Sequence, residues 1–182
     1  MTRKKIIFID LDGTLIETIT GETFPKGVWD MKILWNVWQS LKRYVKKNKT
    51  EWVFIITNQG GIETGHVDIT NWLRKFKYIQ SALKEFLNSD DDLGIDVMGA
   101  FCPVNDKGQP SRKPNTGMLR YLLSTIDDRW DDFNSIHHIP KSLMVMIGDA
   151  SGKPGDFSNS DKKTAENFGI NYMDVDELIK NS

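Results

Sequence analysis

Two aspartates near the start of the chain, Asp10 and Asp12, follow an apolar run and precede Gly13 in the stretch FIDLDGTLIE (8–17). Positions two apart in an extended strand point the same way and lie about 6–7 Å apart. Both carboxylates are therefore predicted to face one pocket, while Leu11 points into the core. One carboxylate can attack phosphorus as a nucleophile. The other can protonate the leaving oxygen and then deprotonate a hydrolytic water.

Three further segments carry polar residues that can complete such a site: TNQGG (57–61), SRKPNTG (111–117) and GDA (148–150). Asp149 would add a third carboxylate, and like charges so close repel unless a cation compensates them. Mg²⁺ meets this need because it takes few protein carboxylates and keeps waters or phosphate oxygens as further ligands. Lys113 is a second compensating charge. Thr57 and the backbone amides of 58–60 would hold an anionic group.

The elements that must position these residues follow from the hydrophobic pattern. Continuous apolar runs predict strands at 4–10, 51–57, 94–101 and 142–148. Apolar residues at helical spacing predict helices over 34–45 and 72–87, with two more at about 115–126 and 161–168. Strands alternating with helices indicate an α/β fold with a mainly parallel sheet, in which ligands bind beyond the carboxyl ends of the strands. Residues 14–29 fit neither pattern and predict a small hairpin or flap after the first strand.

Length and composition limit the number of domains and the kinds of partner and metal site that the chain can have. The chain has 182 residues and a formal net charge of −1, so one domain over 1–182 is expected and overall charge indicates no partner. The single cysteine, Cys102, excludes an internal disulfide and a multi-cysteine zinc site. Without a signal-peptide pattern or an apolar run of about 18 residues, we expect a cytoplasmic protein that does not enter a membrane.

The polar segments match a known set of motifs. DLDGTL (10–15), IITNQGG (55–61), Lys113 and GDASGKPGDFSNSD (148–161) resemble the four motifs of the haloacid dehalogenase (HAD) superfamily of phosphohydrolases. The resemblance is closer to one branch, the 3′-phosphatase domain of the polynucleotide kinase/phosphatase family. That branch has a flap motif T-x-x-G-x-x-F-P, here 18–25, followed by TNQ-x-G-I, RKP-x-x-G-M and DFS-x-x-D. The resemblance covers nearly the whole chain and implies a three-layer Rossmann-like (HAD-like) fold without a large cap.

The resemblance implies roles for the three aspartates at the predicted strand ends. Asp10 would be the nucleophile and a ligand of Mg²⁺. Asp12 would be the general acid and base, with its backbone carbonyl on the metal. Asp149 would be the other metal ligand. The implied reaction is Mg²⁺-dependent removal of a 3′-terminal phosphate from DNA ends through an aspartyl-phosphate intermediate, a step of DNA repair and nucleic-acid end processing.

The resemblance also implies roles for residues around these aspartates. Thr57 and Asn58 would hold the transferring phosphoryl group, and the catalytic Lys113 would balance its charge. Asp156 and Asp161 match family positions that surround the metal's ligands. Asp161 would also serve as the N-cap of a late helix.

The implied partners are 3′ ends of single-stranded or nicked DNA, together with a separate kinase or ligase. Candidate contacts with the strand are Arg112, Lys26 and Trp29, and the cationic runs at 42–49 and 74–77. Such runs are more often a solvated face than a binding site. Three other tryptophans at helical spacing are predicted to lie in the core: Trp35, Trp38 and Trp72.

Two alternative functions remain open on the sequence. A small-metabolite phosphatase of the same superfamily would act on a sugar, histidinol or heptose phosphate, although the chain lacks the cysteine cluster of the zinc-carrying histidinol and heptose enzymes. A non-catalytic binding module would not need all four of Asp10, Asp12, Lys113 and Asp149. The segments 14–29 and 58–69 are short, which predicts a pocket open enough for a polymer end.

Overall fold

The computed structural model describes residues 5–90, 93–127 and 139–181. Its centre is a parallel sheet of five strands in the order β5-β4-β1-β6-β7. The strands are β1 (Lys5–Ile9), β4 (Thr50–Asn58), β5 (Asp96–Cys102), β6 (Met144–Gly148) and β7 (Asn171–Asp174). The four predicted strands are thus confirmed, and β7 adds an edge strand that the apolar pattern did not indicate.

Helices cover both faces of the sheet, as a three-layer α/β fold requires. They are α1 (Trp35–Asn48), α2 (Ile69–Asn88), α3 (Gly117–Asp127), α4 (Ser160–Phe168) and α5 (Val175–Lys180). Alternate residues of β1 enter two separate cores. Ile7 and Ile9 pack in the core formed with α1, α2 and α5. Ile6 and Phe8 pack in the core formed with α3 and α4, so β1 is buried on both faces.

A hairpin follows β1, as predicted. It consists of β2 (Ile16–Glu17) paired antiparallel with β3 (Lys32–Ile33), so it extends four residues beyond the predicted end at 29. The Asp30 carboxylate closes the connecting loop by accepting hydrogen bonds from the amides of Thr20 (3.1 Å) and Lys26 (2.9 Å). We call residues 16–33 the flap. It is small, and the described chain holds no large cap over the sheet.

Of the three tryptophans predicted to lie in the core, two are buried and one is exposed. Trp38 and Trp72 are each 1% exposed, as expected of core residues. Trp35 is 54% exposed, so its assignment to the core is wrong. It is the first residue of α1 and meets Trp38 edge-on, with ring centroids 5.5 Å apart. None of the helices in the described part of the chain has the length and hydropathy needed to cross a bilayer.

Candidate active site

The carboxyl ends of the three central strands bring the predicted site residues together. Asp10 and Asp12 follow β1, Thr57 lies at the end of β4, and Asp149 follows β6. Because β1 pairs with both β4 and β6, these ends meet at one edge of the sheet. Asp10 is buried and Asp12 is exposed, so one carboxylate lies at the floor of the site and the other at its mouth.

Lys113 supplies the buried positive charge of the site. Its ammonium donates a short hydrogen bond to Asp10 Oδ1 and another to Asp161 Oδ1 at 2.7 Å. Burial raises the pKa of Asp10 further than the Lys113 charge lowers it. Burial would lower the pKa of Lys113, but the two carboxylates outweigh it and raise that pKa above its ordinary value. Lys113 therefore stays protonated and charged.

Among the described residues, three carboxylates lie close enough together to hold a metal ion. One oxygen from each of Asp10, Asp149 and Asp161 lies within 4.8 Å of the others. Burial and the neighbouring Asp161 raise the pKa of Asp149, which shows the cost of this cluster without a cation. A hard divalent cation with oxygen ligands, such as Mg²⁺, fits this donor set.

Asp10 and Asp149 of the predicted ligand set belong to this cluster, and Asp161 is its third member. Asp12 was predicted to bind the metal through its backbone carbonyl, and that contact stays a prediction. Asp161 is occupied: Oδ1 accepts from Lys113, and Oδ2 accepts from the Ala150 amide at 3.2 Å. It is also not the N-cap of α4, since Asn159 holds that position. Asp161 thus orients Lys113, which leaves Asp10 and Asp149 for a metal.

Two glycines make this close approach of carboxylates sterically possible. A Cβ on Gly13 would collide with the Asp149 carboxylate, and Gly13 has a φ of +82° that side chains rarely adopt. A Cβ on Gly148 would collide with the Asp161 carboxylate. The glycines of DLDGTL and GDA are therefore required by the packing of the site.

Asp12 is oriented by two residues of the segment after β4. Gln59 Nε2 donates to Asp12 Oδ2 at 2.6 Å, and Thr57 Oγ1 donates to the same oxygen at 3.2 Å. The Thr57 hydroxyl thus contacts the candidate general acid, and its predicted contact with a phosphoryl group stays a prediction. The backbone amide of Gln59 was predicted to help hold an anion, but no role was predicted for its side chain, although its place in TNQGG could have suggested one. Both donors hold the Asp12 carboxylate in one orientation.

Asn58 ties the loop that carries Lys113 to the end of β4. Its side chain forms a closed pair with the main chain of Lys113: Oδ1 accepts from the Lys113 amide (2.9 Å) and Nδ2 donates to the Lys113 carbonyl (3.0 Å). The predicted contact of Asn58 with the phosphoryl group stays a prediction.

Hydrogen bonds with Thr14 and Asp156 fix the segment that follows β6. Thr14, fully buried, donates to Asp149 Oδ1 and accepts from the Asp149 amide, both at 3.2 Å. Asp156 Oδ2 accepts from the Ser151 hydroxyl (2.6 Å) and from the amides of Ser151 and Lys153. Asp156 thus shapes the loop that follows Asp149, in keeping with its predicted place around the metal ligands.

The candidate contacts with the strand differ in their exposure and in their partners. Arg112 is half-buried and donates to the Val104 carbonyl at 2.8 Å. Lys26 is exposed on the flap and pairs with Glu22 at 2.6 Å. In the run at 74–77, Arg74 and Lys77 are exposed but Lys75 is only 2% exposed. That run is therefore not simply a solvated face.

Two solved structures share this architecture. A HAD-like phosphatase from Mesorhizobium loti superposes with a TM-score of 0.58 at 19% identity, covering 92% of this chain and 70% of the other. The D,D-heptose 1,7-bisphosphate phosphatase of B. bronchiseptica, solved with magnesium and phosphate, superposes with a TM-score of 0.57 at 21% identity, covering 97% of each chain. The fold is therefore that of the HAD-like phosphatases.

Sequence comparison narrows this class to one family. The family model described as polynucleotide kinase 3 phosphatase matches residues 5–178. The bifunctional polynucleotide phosphatase/kinase of Schizosaccharomyces pombe is 34% identical over 185 residues, which cover 97% of this chain. The match spans only 38% of that relative's length. The chain belongs to the polynucleotide kinase 3 phosphatase family, which confirms the resemblance stated from its motifs.

Proposed function

We propose that the chain is a Mg²⁺-dependent polynucleotide 3′-phosphatase that removes the terminal phosphate from a DNA 3′ end and leaves a 3′-hydroxyl. The observation that carries this proposal is that two neighbouring carboxylates have different environments, one suited to a nucleophile and the other to a general acid. Asp10 lies buried beside Lys113, and Asp12 lies exposed at the mouth, where Gln59 and Thr57 hold it. Membership of the family supports a polynucleotide as the substrate.

In the first step, an oxygen of Asp10 attacks the phosphorus of the 3′-phosphate and the bond between phosphorus and the sugar oxygen breaks. Asp12, in its protonated form, delivers its proton to that leaving oxygen. The products are a 3′-hydroxyl and an aspartyl-phosphate on Asp10. Lys113 balances the negative charge of the phosphoryl group throughout, because it stays cationic between Asp10 and Asp161.

In the second step, water attacks the phosphorus of the aspartyl-phosphate while ionised Asp12 takes one of its protons. The bond between phosphorus and the Asp10 oxygen breaks, which releases inorganic phosphate, restores the Asp10 carboxylate and leaves Asp12 protonated for the next cycle. Mg²⁺ bound by Asp10 and Asp149 would neutralise phosphate charge and favour the ionised carboxylates. The rigid end of β1 keeps the separation of Asp10 and Asp12 constant through both steps.

A small-metabolite phosphatase is the second candidate, because the heptose bisphosphate enzyme shares the fold over nearly all of this chain. The small flap and the absence of a large cap in the described residues favour the polymer end instead. We further propose that the chain acts inside the cell and that a separate kinase or ligase completes the processing of the end.

A primer-extension assay tests the proposed function. A DNA primer that ends in a 3′-phosphate cannot be extended by a polymerase until a 3′-hydroxyl is released. We expect incubation with the wild-type chain and Mg²⁺ to restore extension, and incubation with Asp10→Asn to leave the primer blocked. A primer that remains blocked after treatment with folded wild-type protein would contradict the proposal.

A further inference from the structure

An aromatic pair joins the flap to α2, and the proposed reaction does not use it. The Trp29 indole is 64% exposed and meets the Tyr78 ring edge-on, with 5.1 Å between the ring centroids. Tyr78 is itself 44% exposed. Contiguous large apolar groups left in water mark an interaction site more often than scattered ones do.

Cations flank this aromatic pair. Arg74 lies four residues before Tyr78 in α2, so the two share one face of the helix. Lys77 lies three residues after Arg74 and is also exposed. No ion pair involves Arg74 or Lys77 within the described ranges. Flat exposed rings beside uncompensated cations suit a partner that offers both planar groups and regularly spaced negative charge.

The flap that carries Trp29 borders the mouth of the active site. Its first residue, Ile16, pairs with Asp12, the candidate general acid, in an isolated β-bridge. The Phe24 ring of the flap stacks on His66, with ring centroids 4.6 Å apart, in the segment that leads from β4 to α2. The wall formed by the flap and α2 therefore begins beside Asp12 and includes the aromatic pair.

We propose that Trp29, Tyr78, Arg74 and Lys77 form a platform for the nucleotides that precede the scissile 3′-phosphate of a single-stranded polynucleotide. The bases stack on the rings, and the cations contact the phosphodiesters. This inference rests on the proposed 3′-phosphatase function and adds the path that the strand follows. Stacking tolerates any base because every base has a π-face. Binding on the platform therefore depends on strand length and salt rather than on sequence.

Equilibrium binding in chelator tests the platform without turnover. The probe is a fluorescently labelled single-stranded hexanucleotide with a 3′-phosphate, followed by anisotropy. Trp29→Ala and Tyr78→Ser should each lose about tenfold in affinity, the scale of one lost stacking contact. Trp29→Tyr should recover most of that loss. Lys77→Gln should flatten the dependence of affinity on salt, because fewer counterions are released on binding.

Two matched controls separate the platform from general surface effects. Lys84→Gln changes a lysine two turns further along α2, where it pairs with Asp96. Tyr121→Ala removes an aromatic ring that is 60% exposed on α3. Both should bind the hexanucleotide as the wild type does.

Wild-type affinity in Trp29→Ala and Tyr78→Ser would overturn the platform, as would a wild-type chain that does not bind the probe. An equal loss in Tyr121→Ala would also overturn it. Circular dichroism confirms that each variant is folded. Failure of the platform is distinguishable from failure of the proposed function, because the primer-extension assay reports hydrolysis whether or not Trp29 contributes to binding.

Discussion

Lys113 donates to Asp161 at 2.7 Å although 48 residues separate them, and both side chains are almost fully buried. The same ammonium holds Asp10, so one cation sits between the candidate nucleophile and a carboxylate of α4. Asp161 in turn binds the Ala150 amide directly after Asp149. This connection fixes Asp10, Lys113 and the segment that carries Asp149 relative to one another.

Removal of the positive charge of Lys113 should destabilise the fold. Lys113→Met leaves two buried carboxylates without their cationic partner, and such a break costs roughly 3–5 kcal/mol. Urea unfolding at neutral pH in chelator measures the free energy of unfolding. Lys162→Met, on the exposed side of α4, is the matched control and should cost little. Equal losses in the two variants would show that the buried contacts of Lys113 do not stabilise the chain.

The metal-free fold should lose stability as pH rises through the range in which its buried carboxylates ionise. Burial raises the pKa of Asp10 and Asp149 above their ordinary value of 3.8. The folded chain therefore binds more protons than the unfolded chain between that value and the raised values, and its stability declines across this window.

Mg²⁺ should offset this decline, because it competes with protons for the same carboxylates. We expect the increase in Tm caused by Mg²⁺ to be larger at about pH 7.5 than at about pH 5. Asp149→Asn should remove most of the increase. An increase of the same size at both pH values, or one that survives in Asp149→Asn, would place the ion elsewhere.

Asp10→Asn should abolish turnover while the fold survives, because a neutral amide cannot attack phosphorus. We expect kcat to fall roughly 10⁴-fold or more, as it does when a nucleophile is removed from other enzymes. Phosphate release from a 3′-phosphorylated oligonucleotide measures the loss, with circular dichroism as the folding control. A folded variant that keeps a tenth of the activity would rule out Asp10 as the nucleophile.

Asp12→Asn should slow poor leaving groups more than good ones. A sugar hydroxyl needs a proton as it departs, so its hydrolysis should fall by about 10²–10⁴-fold. An activated aryl phosphate needs less protonation and should be affected less. Gln59→Leu, which removes the 2.6 Å hydrogen bond to Asp12, should also slow hydrolysis of the substrate with the sugar leaving group more than hydrolysis of the aryl phosphate. Equal losses on both substrates would argue against a general acid at this position.

The parts of the fold predictable from the sequence are those with an apolar signal of their own. β1, β4, β5 and β6 contain apolar runs, whereas β7 has only four residues and is mostly half-exposed or exposed. Parallel strand ends then bring together residues such as Asp10 and Asp149. Which hydrogen bonds form there was not predictable, because spacing does not show that Asn58 binds the Lys113 main chain or that Asp161 binds its ammonium.

The most direct test of the central claim compares kcat/KM for four substrates with Mg²⁺ present: a 3′-phosphorylated oligonucleotide, its 5′-phosphorylated isomer, a 3′-mononucleotide and a heptose or histidinol phosphate. A polynucleotide 3′-phosphatase should prefer the 3′-phosphorylated oligonucleotide to each of the others, with an advantage that shrinks as salt rises. A sugar phosphate or mononucleotide that equals the oligonucleotide at every salt concentration would contradict this account and favour the metabolite phosphatase.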